Sequence, residues 1–143
     1  MLRRHDWNER LVGYASGVRG EPFRWGTTDC AYVVRGALRA MYGKDLLLGM
    51  GSYRTMASAL RAARQVGPVG AFLRGRGFDT VKPNFAQSGD VVLFRGLEDG
   101  LPQLGVVVSG KLLVTTPTDG VELHRLPLGD WPAGVRLYRA PQA

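Results

Sequence analysis

One cysteine is the residue of this chain best suited to covalent chemistry. Cys30 is the only cysteine, and it follows a Gly26-Thr27-Thr28-Asp29 turn. A helix is predicted to begin directly after the turn, with Thr28 or Asp29 capping it through a side-chain oxygen. The sulfur would then lie in the first helical turn, where the helix dipole and unpaired N–H groups favour a thiolate. This arrangement is typical of a cysteine nucleophile.

A second interpretation of Cys30 stays open. The predicted helix ends at Gly43, a left-handed C-cap, with Arg35 and Arg39 on its outer side. A lone cysteine on the apolar face of a helix is by default a small buried hydrophobe. Asp29 also opposes the nucleophile, because a neighbouring negative charge raises a thiol pKa. The apolar face recurs at helical spacing and consists of Cys30, Val33, Val34, Ala37, Leu38 and Met41.

The elements that must position this cysteine are helices first and strands afterwards. Besides the Cys30 helix, helices are predicted over 6–17, with an Asp6/Glu9 capping box, over 54–65, and briefly over 69–74. In the helix over 54–65, the side chains predicted to face inward are Met56, Ala59, Leu60 and Ala63. Turn signals, including Glu98-Asp99-Gly100, separate predicted strands over 78–81, 91–94, 104–108, 111–116, 121–126 and 134–139.

This order predicts an α+β fold in which N-terminal helices pack on an antiparallel β-sheet. At 143 residues and 45% apolar composition, residues 1–143 are expected to form a single globular domain. No N-terminal apolar leader and no run of 18 apolar residues occurs, so a soluble chain without a targeting signal or membrane span is expected.

The net charge of +7 raises the question of nucleic acid, but the charge pattern argues against it. Arginine supplies 16 of the 19 basic residues, and apart from the adjacent Arg3 and Arg4 these arginines are scattered singly along the chain. A nucleic-acid-binding module therefore remains the weakest function class, and no nucleic-acid partner is expected. One cysteine and two separated histidines make no metal-ligand cluster, and no glycine-rich phosphate loop is present. No metal and no cofactor are expected.

The chain resembles papain-like cysteine peptidases, in which a helix beginning with cysteine packs on a later antiparallel sheet. Within that clan it is similar to NlpC-type cell-wall peptidases, and more closely to short NlpC-like proteins of tailed-bacteriophage tail gene regions. The matching pieces span most of the chain: FRWGTTDC (Phe23 to Cys30), the helix to Tyr42-Gly43-Lys44-Asp45, SGDVVLF (Ser88 to Phe94), LGVVVSGKLLV (Leu104 to Val114) and GVRLYR (Gly134 to Arg139).

The resemblance also implies where a catalytic base should be. NlpC-type enzymes carry a histidine just before the strand that follows the Gly-Asp strand, and Gln103 stands at that position here. The third catalytic position falls at about Thr115. Glutamine cannot act as a general base near neutral pH. Of the two histidines, His5 is expected in an exposed N-terminal arm, whereas His124 is expected to pair near Leu113 and share a face with Thr115.

Two functions follow from this resemblance. The first is a structural component of a phage tail tip or baseplate on a degenerate NlpC-like fold, in which Cys30 is vestigial. Its partners would be other tail proteins, and the chain, made in the host cytoplasm, would end in the virion. The alternative is an active cysteine murein peptidase or amidase that degrades host peptidoglycan during phage entry, with Cys30 as nucleophile and His124 as an unconventional base.

Overall fold

In the computed structural model, which describes residues 3–94 and 102–141, the helices precede a mixed loop-and-strand half. Within these residues the fold is α+β, with four α-helices on a six-stranded antiparallel sheet. The helices are α1 (Trp7–Val18), α2 (Cys30–Tyr42), α3 (Met56–Val66) and α4 (Val69–Gly75). A short 3-10 turn follows at Pro83–Phe85.

The strands are β1 (Asp79–Val81), β2 (Val91–Phe94), β3 (Gln103–Val108), β4 (Lys111–Thr116), β5 (Gly120–Arg125) and β6 (Arg136–Arg139). They are arranged in the order β1-β6-β2-β3-β4-β5, and every neighbouring pair is antiparallel. β2 and β3 therefore lie at the centre, and the last strand of the chain is inserted between the first two. The predicted fold class, helices on an antiparallel sheet, is confirmed.

Helix α2 is the element around which the core is built. Its predicted apolar face is confirmed, since Val33, Val34, Ala37, Leu38 and Met41 are each at most 1% exposed. This face packs on the side of the sheet formed by residues such as Val91, Leu104, Val106 and Leu113. The cap prediction is confirmed at both ends: Asp29 accepts a hydrogen bond from the Tyr32 N–H, and Gly43 adopts φ 74°.

The opposite side of the sheet carries a second, smaller apolar cluster. Val92, Val107, Leu112, Val114 and Leu137 form it together with Leu126. The connection between β5 and β6 covers this side, with Trp131 and Val135 packed against the cluster. Because successive residues of a strand point to opposite sides, these two clusters define which side of the sheet each strand residue faces.

Two details of the predicted helices are wrong. Asp6 makes no side-chain cap on α1; its carboxylate pairs with Arg10 at 3.0 Å instead. Met56 is 41% exposed, because α3 begins at this residue and turns Ala59 and Ala62 inward. Arg35 lies off the apolar face of α2, as predicted, and its guanidinium bonds to the Asp45 carboxylate at 2.7 Å.

The strand predictions differ from the structure mainly at the ends. Phe78 is buried but precedes β1, and β6 starts at Arg136 because residues 134 and 135 belong to the preceding turn. The predicted turn Glu98-Asp99-Gly100 lies outside the described residues.

Candidate functional site

The Cys30 side chain lies where the start of α2 meets the start of β3. Cys30 is the first residue of α2 and is partly buried. Its thiol donates a hydrogen bond to the Pro102 carbonyl oxygen at 3.4 Å. The Leu104 backbone N–H also interacts with the sulfur. The thiol is therefore held against β3 by the backbone on either side of Gln103.

Burial decides the protonation state of this thiol. Loss of solvent, with a smaller contribution from the Asp29 charge, raises the pKa of Cys30 to about 11. The Leu104 N–H lowers the Cys30 pKa but does not compensate. The backbone N–H groups of Cys30 and Ala31 at the helix start also lower this pKa, as expected, but burial outweighs them. At neutral pH only about one thiol in 10⁴ is ionised.

Asp29 caps α2, as predicted, and it also accepts hydrogen bonds from two neighbouring segments. Its carboxylate accepts hydrogen bonds from the Gly26 N–H at 2.6 Å and the Tyr32 N–H at 3.4 Å. The Tyr53 hydroxyl donates a third at 2.7 Å. Burial and the adjacent Asp29 charge raise the pKa of Tyr53 well above its usual range, so this hydroxyl stays protonated. With these three donors, the 2%-exposed carboxylate holds the turn, the helix start and the 44–53 connection together.

A cavity of about 420 Å³ opens beside the cysteine. α2, α3, the start of α4 and the Pro102–Leu104 segment surround it, and Cys30 and Asp29 lie on its wall. Most of the lining is apolar, including Met50, Ala59, Leu60, Ala63, Val66 and Val69. This volume falls within the range of small-molecule sites in proteins.

The structure does not bring Gln103 to the cysteine. Gln103 pairs with Phe94, and Phe94 packs in the cluster on the far side of the sheet. Strand alternation therefore directs the Gln103 side chain away from Cys30, whereas Leu104 faces it. Gln103 is not part of the cavity lining. A base at the position implied by the resemblance would need a different register or local backbone.

Thr115 lies on the helix-facing side of the sheet, the side that Cys30 also contacts. It pairs with Val121, which belongs to the main core, and it is 3% exposed. Its hydroxyl has no hydrogen-bond partner within the described part of the chain. Thr115 does not line the Cys30 cavity. Thr115 is thus on the same side of the sheet as Cys30, but neither histidine ring lies beside it for its hydroxyl to orient.

Neither histidine can reach the sulfur. His124 pairs with Leu112, one residue from the expected Leu113. This shift of one residue turns the His124 side chain to the side of the sheet opposite Thr115. There its side chain is 55% exposed, with Nε2 3.4 Å from the Glu122 carboxylate. The predicted shared face of His124 and Thr115 is therefore wrong. His5 is exposed and follows Arg4, whose N–H bonds to the Met41 carbonyl, about 16 Å along α2 from Cys30.

Sequence reasoning missed Tyr53 and Pro102 as parts of this site. Tyr53 lies in the segment between α2 and α3, and nothing in its local pattern indicates a bond to a carboxylate 24 residues earlier. Pro102 contacts a thiol 72 residues away, a separation that no periodicity reports. An aromatic residue in a glycine-punctuated loop was the only available signal for Tyr53.

The rate of thiol alkylation should report the raised pKa directly. Because only the thiolate reacts, Cys30 in the folded chain should react with iodoacetamide about 100-fold more slowly at pH 8 than in the urea-unfolded chain. The folded-state rate should keep rising with pH to about 11. Mass spectrometry of the alkylated chain across pH 7–11 measures this profile. A folded-state rate that levels off below pH 8 would contradict the burial effect.

The described residues contain neither a cluster of metal ligands nor a membrane-spanning helix. Among residues 3–94 and 102–141, no group of three or more His, Cys, Asp or Glu side chains is arranged to hold a metal ion. No helix in the same ranges is both long and apolar enough to cross a membrane.

Comparison with known proteins adds one finding to this geometry. No curated protein matches the chain. A family model described as a domain of unknown function (DUF6950) matches residues 2–136, which include α2, the cavity and almost the whole sheet. The chain therefore belongs to the DUF6950 family.

Proposed function

We propose that this chain is a non-hydrolytic structural component of a bacteriophage tail tip or baseplate, built on a papain-like, NlpC-type scaffold. The scaffold part rests on the packing of a cysteine-headed helix on an antiparallel sheet. It rests also on the order of the pieces resembling phage NlpC-like proteins, from the Cys30 turn through Ser88-Gly89-Asp90 to β6. The proposed partners are other tail proteins, and the proposed location is the virion.

The observation that carries the non-hydrolytic part is that neither histidine of the chain lies near Cys30. The chain has two histidines, one at the far end of α2 and one on the far side of the sheet. The thiol is protonated at neutral pH and donates to a backbone carbonyl. General-base assistance contributes roughly 10²–10⁴-fold to such reactions. Without it, peptide-bond cleavage by Cys30 is too slow to be useful.

The alternative, an active murein peptidase or amidase, has one observation in its favour. Cys30 heads a helix and lies on the wall of an open cavity, which is where a substrate would have to bind. For this function a partner chain would need to supply the base.

Hydrolysis assays separate the two functions. We expect no release of peptides from peptidoglycan by the wild-type chain, either alone or within purified particles, above the level of Cys30→Ala. The Gln103→His variant should also be inactive, because residue 103 faces away from Cys30. High-performance liquid chromatography of digested peptidoglycan measures this. Robust cleavage by the wild type, lost in Cys30→Ala, would establish the peptidase instead.

The tail assignment needs its own experiment. Quantitative mass spectrometry of particles purified from the phage that encodes the chain should detect it at a fixed ratio to other tail proteins. Particles formed with the Cys30→Ala variant should contain the same amount, because the structural role does not use the thiol. Absence of the chain from purified particles would reject the tail assignment.

A further inference from the structure

The cavity beside Cys30 has a charge pattern that specifies its ligand. Its walls are mostly apolar, with α3 contributing the small side chains Ala59, Ala62 and Ala63. Small residues on this helix leave the space of about 420 Å³ that larger residues would fill. An apolar space of this size gains free energy when an apolar body displaces its water.

Three charged side chains of the described residues line this cavity, and two of them already have hydrogen-bond partners. Asp29 accepts hydrogen bonds from Gly26, Tyr32 and Tyr53. Arg35 is 11% exposed and bonds to the Asp45 carboxylate and to the Gly51 carbonyl.

The third charged residue, Arg64, is exposed in the last turn of α3 and has no ion-pair partner within the described ranges. An exposed residue that also lines a cavity lies at its mouth. Thus, in the described part of the chain, the charged groups inside the cavity already have hydrogen-bond partners, while the mouth carries one positive charge, Arg64, without an ion-pair partner. A ligand that complements both has an apolar body and a single anionic end.

We propose that this cavity binds a small amphipathic carboxylate, with its apolar body against α3 and its carboxylate at the Arg64 guanidinium. Binding is non-covalent, because the Cys30 thiol is protonated and bonded to Pro102. A cationic ligand of the same size is disfavoured at Arg64, and an uncharged one lacks the ion pair. This site does not depend on whether the chain is part of a virion, and its test does not measure hydrolysis.

Three probes with the same chain length test the charge preference. Decanoate, decan-1-ol and decyltrimethylammonium are added below their micelle-forming concentrations, and affinity is measured by isothermal titration calorimetry. Protection of Cys30 from iodoacetamide at pH 9 locates the bound probe, since the chain has no other cysteine. Decanoate should bind most tightly and slow alkylation. Equal or tighter binding of decyltrimethylammonium, or no protection by decanoate, would overturn the proposal.

Matched variants separate a built site from general attraction to a basic chain. Arg64→Gln should weaken decanoate binding up to about five-fold, the range of an exposed ion pair, and leave decan-1-ol binding unchanged. Arg61→Gln removes the same charge from an exposed position on α3 that does not line the cavity, so it should leave decanoate binding unchanged. Equal losses in both variants would reject the site.

A third variant fills the cavity. Ala63→Leu should reduce the affinity for decanoate at least about ten-fold, because its larger side chain occupies the apolar space. Circular dichroism of each variant verifies folding. Should Ala63→Leu fail to fold, the Arg64 and Arg61 pair still decides the proposal.

Discussion

Replacing Gly26 by alanine should destabilise the chain by about 2–5 kcal/mol. Gly26 has φ +78°, a conformation that costs an alanine about 1–2 kcal/mol. An added Cβ would also overlap the Tyr53 carbonyl oxygen, a backbone atom that cannot move by rotating a side chain. We assign roughly 1–3 kcal/mol to this overlap. Urea denaturation followed by far-UV circular dichroism measures the loss.

Gly20 supplies the matched control for this substitution. It has φ +87°, but a Cβ there would meet no atom within 4 Å. Gly20→Ala should therefore cost only the conformational part, about 1–2 kcal/mol. The difference between the two variants isolates the close approach of the Cys30 turn to the Tyr53 backbone. Equal losses would mean that this approach is looser than the structure describes.

Gly26→Ala should also change the chemistry at Cys30. The Gly26 N–H bonds to Asp29, so displacement of the turn loosens the residues that bury the thiol. Alkylation of Cys30 should then be faster than in the wild type at the same pH, while Gly20→Ala should leave the rate unchanged. The site and the stability of the turn are linked through this one carboxylate.

The second large effect is expected at Arg139, which pairs with the buried Asp90. The Arg139 Nε atom lies 2.8 Å from Asp90 Oδ1, and its NH2 group lies 2.9 Å from Oδ2. Asp90 is 1% exposed, so Arg139→Met leaves its carboxylate buried with the Gln87 N–H as its remaining hydrogen-bond donor within the described residues. The expected loss is about 3 kcal/mol. This loss is at the lower end of the roughly 3–5 kcal/mol typical of a broken buried ion pair, because the Arg139 side chain is 26% exposed and water can reach the Asp90 carboxylate once that side chain is replaced.

Two further variants verify the origin of this loss. Arg136→Met changes an exposed arginine on the same strand and should alter stability by no more than about 0.5 kcal/mol. Combining Asp90→Asn with Arg139→Met removes the buried charge and should recover part of the loss. Chemical denaturation of the four chains, including the wild type, provides the comparison. A double variant less stable than Arg139→Met would contradict a penalty due to the unpaired carboxylate.

Local patterns were sufficient to predict much of this fold. The face of α2 followed from apolar residues at helical spacing, and the cap positions Asp29 and Gly43 followed from the chemistry of helix ends. The bounds of strands β2 and β4 were predicted to the residue, because turn signals mark where each of these short apolar runs begins and ends. The α+β class and the antiparallel sheet then followed from the order of elements along the chain.

Only the tertiary structure decided what surrounds the cysteine. Strand pairing is a long-range property, and a register change of one residue turned His124 to the opposite side of the sheet from Thr115. The same alternation directed Gln103 away from Cys30. The thiol pKa depends on burial by segments far apart in the chain, and this burial outweighs the helix-start effect that the local pattern predicted. The sequence by itself determined which residues form the elements, and the packing of those elements determined that the thiol stays protonated.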